Sequence, residues 1–166
     1  PPQQPPTVNL SIDRFMQYVR YSRLRAGVML NQADSGAAVL VDVNTGEILG
    51  MASYPSYNPN NYAGVQPKDM RNVAISDSFE PGSTVKPLVV MVSLARKMIR
   101  PDSVLDTHPY TVNGHLIKDV GHWPALTITG VLQKSSDIAV SHMALAMPAQ
   151  VLVDLYHSFG LGKPTD

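Results

Sequence analysis

The sequence predicts an α+β fold. Three observations point there: alternating apolar residues on both sides of Asn44-Thr45-Gly46, helical apolar spacing between Ser11 and Asn31, and a second helical run after Pro81-Gly82. Pro1 to Pro6 is proline-rich and reads as an extended N-terminal segment. Ser11 is placed to cap a helix whose apolar positions Ile12, Phe15, Met16, Val19 and Leu24 recur at helical spacing, to about Asn31. Ala37 to Val43 and Glu47 to Ser53 form a hairpin about the Asn44-Thr45-Gly46 turn. Tyr54 to Gln66, dense in Pro, Asn and Tyr, is a loop. A helix beginning close to Ser83 carries Val85, Leu88, Val89, Val92 and Leu94-Ala95 on its apolar side; Pro87 is tolerable only in its first turn, where no N–H partner is lost. Asn113-Gly114 joins Tyr110–Val112 to a segment from His115 to Lys118 as a short hairpin. The apolar segments Leu126 to Leu132 and Ile138 to Ala146 flank a polar junction, with Met143 and Met147 spaced as core residues. Pro148 opens a last helix through Val151, Leu152, Leu155 and Phe159, which Gly160 ends.

Composition removes several function classes. Thirteen basic and thirteen acidic residues balance, and no basic run interleaved with aromatics stands out, so nucleic acid is not an expected partner. With no cysteine there is no disulfide or thiolate site, which is compatible with an oxidising periplasm. No apolar stretch is long enough to span a bilayer and no signal peptide is visible. His108, His115, His122, His142 and His157 lack ligand spacing, so no metal is expected. A chain of 166 residues can bury a full core, yet only one strand pair is strongly patterned; two strands are a marginal sheet, and further strands are expected C-terminal to Asp166.

The chemistry concentrates in Glu80-Pro81-Gly82-Ser83-Thr84-Val85-Lys86-Pro87. At i and i+3, Ser83 and Lys86 share one helix face. A serine hydroxyl is a poor nucleophile until a base takes its proton, and a neutral amine can do so. Ser83 is therefore the candidate nucleophile and Lys86 the candidate base, with the helix N-terminus favouring developing negative charge. Alone, the motif equally fits an N-cap serine beside a solvated lysine. Lys134-Ser135-Ser136-Asp137, alone, reads as a serine-capped junction between helices. Set beside Ser83 and Lys86, it offers a second hydroxyl near the leaving group in Ser135, and a polar side chain to hold lysine and substrate in Asp137.

With these motifs the chain resembles the penicillin-binding transpeptidases, within them the monofunctional class B enzymes that build septal wall in Gram-negative bacteria. The likeness runs from about Ser35 to Gly162. It includes Ser35 to Glu47, Tyr57-Asn58-Pro59-Asn60-Asn61, Met70-Arg71-Asn72, Phe79 to Lys86, Gln133 to Ser136 and Phe159-Gly160-Leu161-Gly162. The resemblance implies the N-terminal half of a domain shared with serine β-lactamases: an antiparallel sheet flanked by helices, and an all-helical subdomain carrying the second motif. Residues 1–34 would be an N-terminal segment and first helix, and 35–166 the first part of the transpeptidase domain. The family's Lys-Thr-Gly motif is expected beyond Asp166, and a membrane anchor and pedestal domain before Pro1. The family pattern at the second motif is Ser-x-Asn, and here its third position is Asp137.

What the resemblance implies is acyl transfer. Ser83 attacks a D-Ala-D-Ala stem peptide, Lys86 accepts its proton, Ser135 protonates the departing amine, and a neighbouring stem's amine resolves the ester into a D,D-crosslink. Ser83, Ser135 and Asp137 would line the substrate site, without cofactor or metal. β-Lactams would acylate Ser83. The expected partners are peptidoglycan stem peptides and division-machinery membrane proteins including a glycan polymerase, at the periplasmic face of the inner membrane. An ionised Asp137 beside Lys86 cannot donate as asparagine does and favours protonated lysine, so acylation is expected to be relatively better in acid. Two other readings use the same residues: a β-lactam-binding sensor or serine β-lactamase, and a non-catalytic division scaffold.

Overall fold

The computed structural model describes residues 7–164, which divide into two compact units, one ending at Phe79 and one beginning at Glu80. The proline-rich stretch Pro1 to Pro6 lies outside the described residues.

In the first unit, α1 (Arg14–Leu30) packs on an antiparallel pair, β1 (Gly36–Val41) and β2 (Ile48–Tyr54). The helix cap is Asp13, whose carboxylate accepts the Met16 N–H at 2.8 Å. Ser11, the expected cap, instead donates its hydroxyl to the Ile48 carbonyl at 2.7 Å. Both residue types can cap; the strand's free carbonyl draws Ser11 away. Gln17 then closes the outer edge of β2: its amide donates to the Met51 carbonyl at 2.6 Å and accepts the Met51 N–H at 2.8 Å. A side-chain amide thus takes the place of a neighbouring strand, and an unpaired edge is blunted.

The hairpin follows its sequence signals. Asp42 accepts the backbone N–H groups of Asn44 and Thr45, at 2.7 and 3.3 Å, and Gly46 takes the left-handed φ of +78° that closes the turn. Those N–H groups, Asn44 first, hold the Asp42 carboxyl below its ordinary range. Register slips between Leu40 and Val41, where Leu49 is the unpaired residue of a bulge and its carbonyl accepts the Asp13 N–H at 2.9 Å. Beyond the loop, α2 (Val73–Ser76) packs on both strands. Asn72 secures its start, accepting the Ser53 hydroxyl at 3.1 Å, and Arg71 pairs with Asp77.

The second unit is built around four helices: α3 (Lys86–Ala95), α4 (Ile128–Lys134), α5 (Asp137–Leu145) and α6 (Ala149–Ser158). Val89, Val90, Ile99, Ile128, Val131, Ala139, Val140 and Met143 form its core, and Met147 is buried too. The subdomain carrying the second motif is not all-helical. It holds two short antiparallel pairs, β3 (Val104–Asp106) with β6 (Ala125–Thr127), and β4 (Tyr110–Val112) with β5 (His115–Ile117). Three-residue strands are too short to show alternation, so only the Asn113-Gly114 turn announced one of them. At the end of β3, Asp106 accepts both the backbone N–H and the ring Nδ1–H of His108 at 2.7 Å; these bonds, backbone first, keep its carboxyl below the usual range.

Candidate active site

Ser83 stands in a 3₁₀ turn, Gly82–Val85, that runs directly into α3. The α-helix proper starts at Lys86, three residues later than the apolar pattern alone places it. The cause is Pro87: it has no N–H to give the Ser83 carbonyl four residues back, so the Lys86 N–H takes that carbonyl in an i to i+3 bond. In a 3₁₀ turn, side chains three apart eclipse, which keeps Ser83 and Lys86 on one face. Gly82, at φ +57°, supplies the left-handed residue that turns the chain into this position. Ser83 is exposed, and among the described residues its hydroxyl makes no hydrogen bond.

Lys86 is drawn in the other direction. Its Nζ donates to the Ser135 carbonyl at 2.6 Å and to the Ser135 hydroxyl at 3.0 Å, and it pairs with the Asp137 carboxylate at 2.7 Å. The lysine side chain is 12% exposed and that of Asp137 55%, so the pair is buried on the lysine side and wet on the carboxylate side. Three oxygens match the three N–H bonds of an ammonium. Lys86, Ser135 and Asp137, nearly fifty residues apart in sequence, are thus one cluster. Ser83 borders it through the shared face and is not bonded into it.

The junction of α4 and α5 explains how Ser135 is presented. Ser135 is the C-cap of α4 in the left-handed conformation, φ 55° and ψ 47°, and Ser136 is the N-cap of α5, accepting the Ala139 N–H at 3.0 Å. A non-glycine residue held left-handed costs about 1–2 kcal/mol. Such strain persists where the surroundings over-determine it, often at functional positions. Ser136 is fully buried and donates to Asp119 at 2.6 Å, while the other Asp119 oxygen accepts the Ile138 N–H at 3.0 Å. Sequence reasoning missed Asp119, because nothing local marks a carboxylate that bonds seventeen positions further along.

Comparison with known proteins gives this geometry a family. Residues 36–166 match the penicillin binding protein transpeptidase domain. The chain belongs to the penicillin-binding protein transpeptidase family. Peptidoglycan D,D-transpeptidase FtsI of Escherichia coli (strain K12) is 59% identical over 157 residues, covering 95% of this chain and 27% of the relative. The probable peptidoglycan D,D-transpeptidase PbpC of Pseudomonas aeruginosa is 41% identical over 165 residues, or 98% of this chain and 29% of that protein. Among solved structures, a peptidoglycan glycosyltransferase from Burkholderia ambifaria superimposes with a TM-score of 0.82 at 36% identity, covering 93% of this chain and 46% of that one. The transpeptidase domain of penicillin-binding protein 3 from Burkholderia pseudomallei gives 0.80 at 35% identity, over 92% and 42%. The chain therefore spans little more than a quarter of the curated relatives named here. The α+β expectation is met by the transpeptidase-domain fold of these neighbours.

Proposed function

We propose that residues 35–166 are the N-terminal part of a peptidoglycan D,D-transpeptidase domain that crosslinks stem peptides at the division septum through an acyl-serine. The observation that carries this reading is the Lys86 cluster: an amine held by Ser135 and Asp137, one 3₁₀ turn from an exposed serine. Ser83 Oγ attacks the carbonyl of the penultimate D-alanine and its proton passes to Lys86, which must first give up one of its own. The C–N bond breaks as Ser135 protonates the departing nitrogen, leaving an ester on Ser83. A side-chain amine from a second stem attacks that ester, forms the crosslinking amide and returns the proton to Ser83. The Ser83 N–H is one oxyanion donor. No cofactor enters. The protein works at the periplasmic face of the inner membrane, beside division-machinery membrane proteins that include a glycan polymerase, and β-lactams acylate Ser83.

Asp137 sets the pH response. Its carboxylate lies 2.7 Å from Lys86 Nζ and opposes the carboxylate terminus of the stem peptide. We propose that acylation is relatively better in acid, because the asparagine of the family pattern donates a hydrogen bond here and a carboxylate does not.

The test exposes the full-length protein to a penicillin at roughly pH 5 and roughly pH 7.5, following covalent mass and acylation rate, with Ser83→Ala and Asp137→Asn alongside. A lasting adduct on Ser83, faster in acid for the parent only, is expected. A parent rate rising steadily toward alkali would end the acid proposal. An adduct that hydrolyses rapidly would indicate a serine β-lactamase, and a folded protein with no adduct a non-catalytic scaffold.

A further inference from the structure

We infer that Asp119 is a positioning residue that sets the second motif from outside it, a role resting on the acyl-transfer reading above. Asp119 follows β5, and its two carboxylate oxygens bond separate groups at the start of α5: the buried Ser136 hydroxyl at 2.6 Å and the Ile138 N–H at 3.0 Å. The first amides of a helix have no acceptor within it. Here the Ala139 N–H goes to Ser136 Oγ and the Ile138 N–H to Asp119, so α5 is capped partly from within and partly by a tertiary carboxylate. Ser135 and Asp137, the residues that touch Lys86, lie on either side of Ser136. Fixing Ser136 and Ile138 therefore fixes the oxygens that receive the lysine.

The hairpin that leads into Asp119 is braced on the same helix. The Tyr110 ring of β4 stacks on His142 with centroids 4.1 Å apart, and its hydroxyl meets the Ser141 hydroxyl at 2.8 Å. Two points of attachment along α5, at its N-terminus and at its middle, hold the hairpin and helix as one piece. A carboxylate is the side chain this position needs. Ser136 Oγ already accepts from Ala139, so its proton must go to an acceptor, and the Ile138 N–H needs another; Asp119 offers only acceptors. Asparagine has one acceptor oxygen, so it can serve one of the two and leaves the other, the buried serine proton or the Ile138 N–H, without that partner.

The experiment uses the full-length protein with Asp119→Asn and Asp119→Ala, each also combined with Ser135→Ala. Penicillin acylation of Ser83 should fall about ten- to a hundredfold for Asp119→Asn in the parent, but less than about threefold in the Ser135→Ala background, because the two changes disable one unit. In parallel, amide hydrogen exchange of Ile138 should quicken at least about tenfold in Asp119→Ala, while amides of β1, β2 and α6 stay as slow as in the parent. Equal losses in both backgrounds, or unchanged exchange at Ile138, would overturn the assignment. A parent that forms no adduct would refute acyl transfer, and the exchange measurement would still decide whether Asp119 holds the motif.

Discussion

Lys86 has three N–H donors as an ammonium and three oxygens waiting for them, so its resting contacts are complete before substrate arrives. In the proposed acyl transfer Lys86 must lose a proton and turn a lone pair toward Ser83. Asp137 is the contact that resists this most, being the only charged one of the three. Because that carboxylate is more exposed than buried, the ion pair is worth about 1 kcal/mol, and removing it should quicken acylation at neutral pH roughly five- to tenfold in Asp137→Asn. An unchanged neutral-pH rate would show that the pair is incidental. Ser135 separates chemistry from strain at one position. Ser135→Gly relieves the left-handed backbone and Ser135→Ala does not, so the glycine variant should be more stable than the alanine variant by about 1 kcal/mol, while both lose acylation alike, by about a hundredfold. Thermal melts beside acylation rates distinguish the two effects; a glycine variant that acylated normally would remove the hydroxyl from the mechanism.

At the scale of elements, what the sequence disclosed depended on how local each signal was. The β1–β2 hairpin was legible because its turn chemistry and alternation lie within the short stretch from Gly36 to Tyr54, and the Asn113-Gly114 hairpin for the same reason. The start of α1 was misplaced by two residues because Ser11 and Asp13 are equally good caps on paper, and only β2 decides between them. β3 and β6 were invisible, being three residues each, and Asp119 was invisible because its partners are distant in sequence. Ser83, Lys86, Ser135 and Asp137 stood out through motif spacing; that lysine is held by the second motif rather than by Ser83 emerged only in three dimensions. The hairpin turn predicts a pH response. Asp42's carboxyl is depressed by bonds made only in the folded turn, so its stabilisation is fully present above the ordinary aspartate range and is lost as pH falls through the lower folded value. Asp42→Ala should melt below the parent near neutrality, the gap closing in strong acid; a gap that persists there would mean the turn does not depend on the charge. Gln17→Ala should cost more, about 1–3 kcal/mol at any pH, since it strips two backbone partners from Met51. A melting temperature within experimental error of the parent would show that water replaces them.

At the scale of the whole molecule, the first unit carries an exposed apolar patch among its described residues. The residues of β1 that face away from α1, Ala37, Val39 and Val41, are as apolar as those that face it, and strands apolar on both faces are ordinarily covered on both. Ala37 and Val39 line a groove of about 550 Å³ with Val73, Ala74 and Phe79, and Val39 and Phe79 are 46% and 83% exposed. A two-stranded sheet is marginal by itself, and the relatives are several times longer than this chain. In a protein of its relatives' length, residues outside 1–166 should cover this groove. One substitution then has opposite effects in two settings. Val39→Glu should make residues 1–166, expressed alone, more soluble and less able to bind a hydrophobic dye, because it interrupts an exposed apolar patch. In the full-length protein the same change should cost about 2–3 kcal/mol or more, the burial energy of a valine plus the penalty of an unpaired charge, and lower the melting temperature accordingly. A full-length protein that tolerates glutamate at this position would show that β1 keeps an open face, and would turn attention to that groove as a surface for something else.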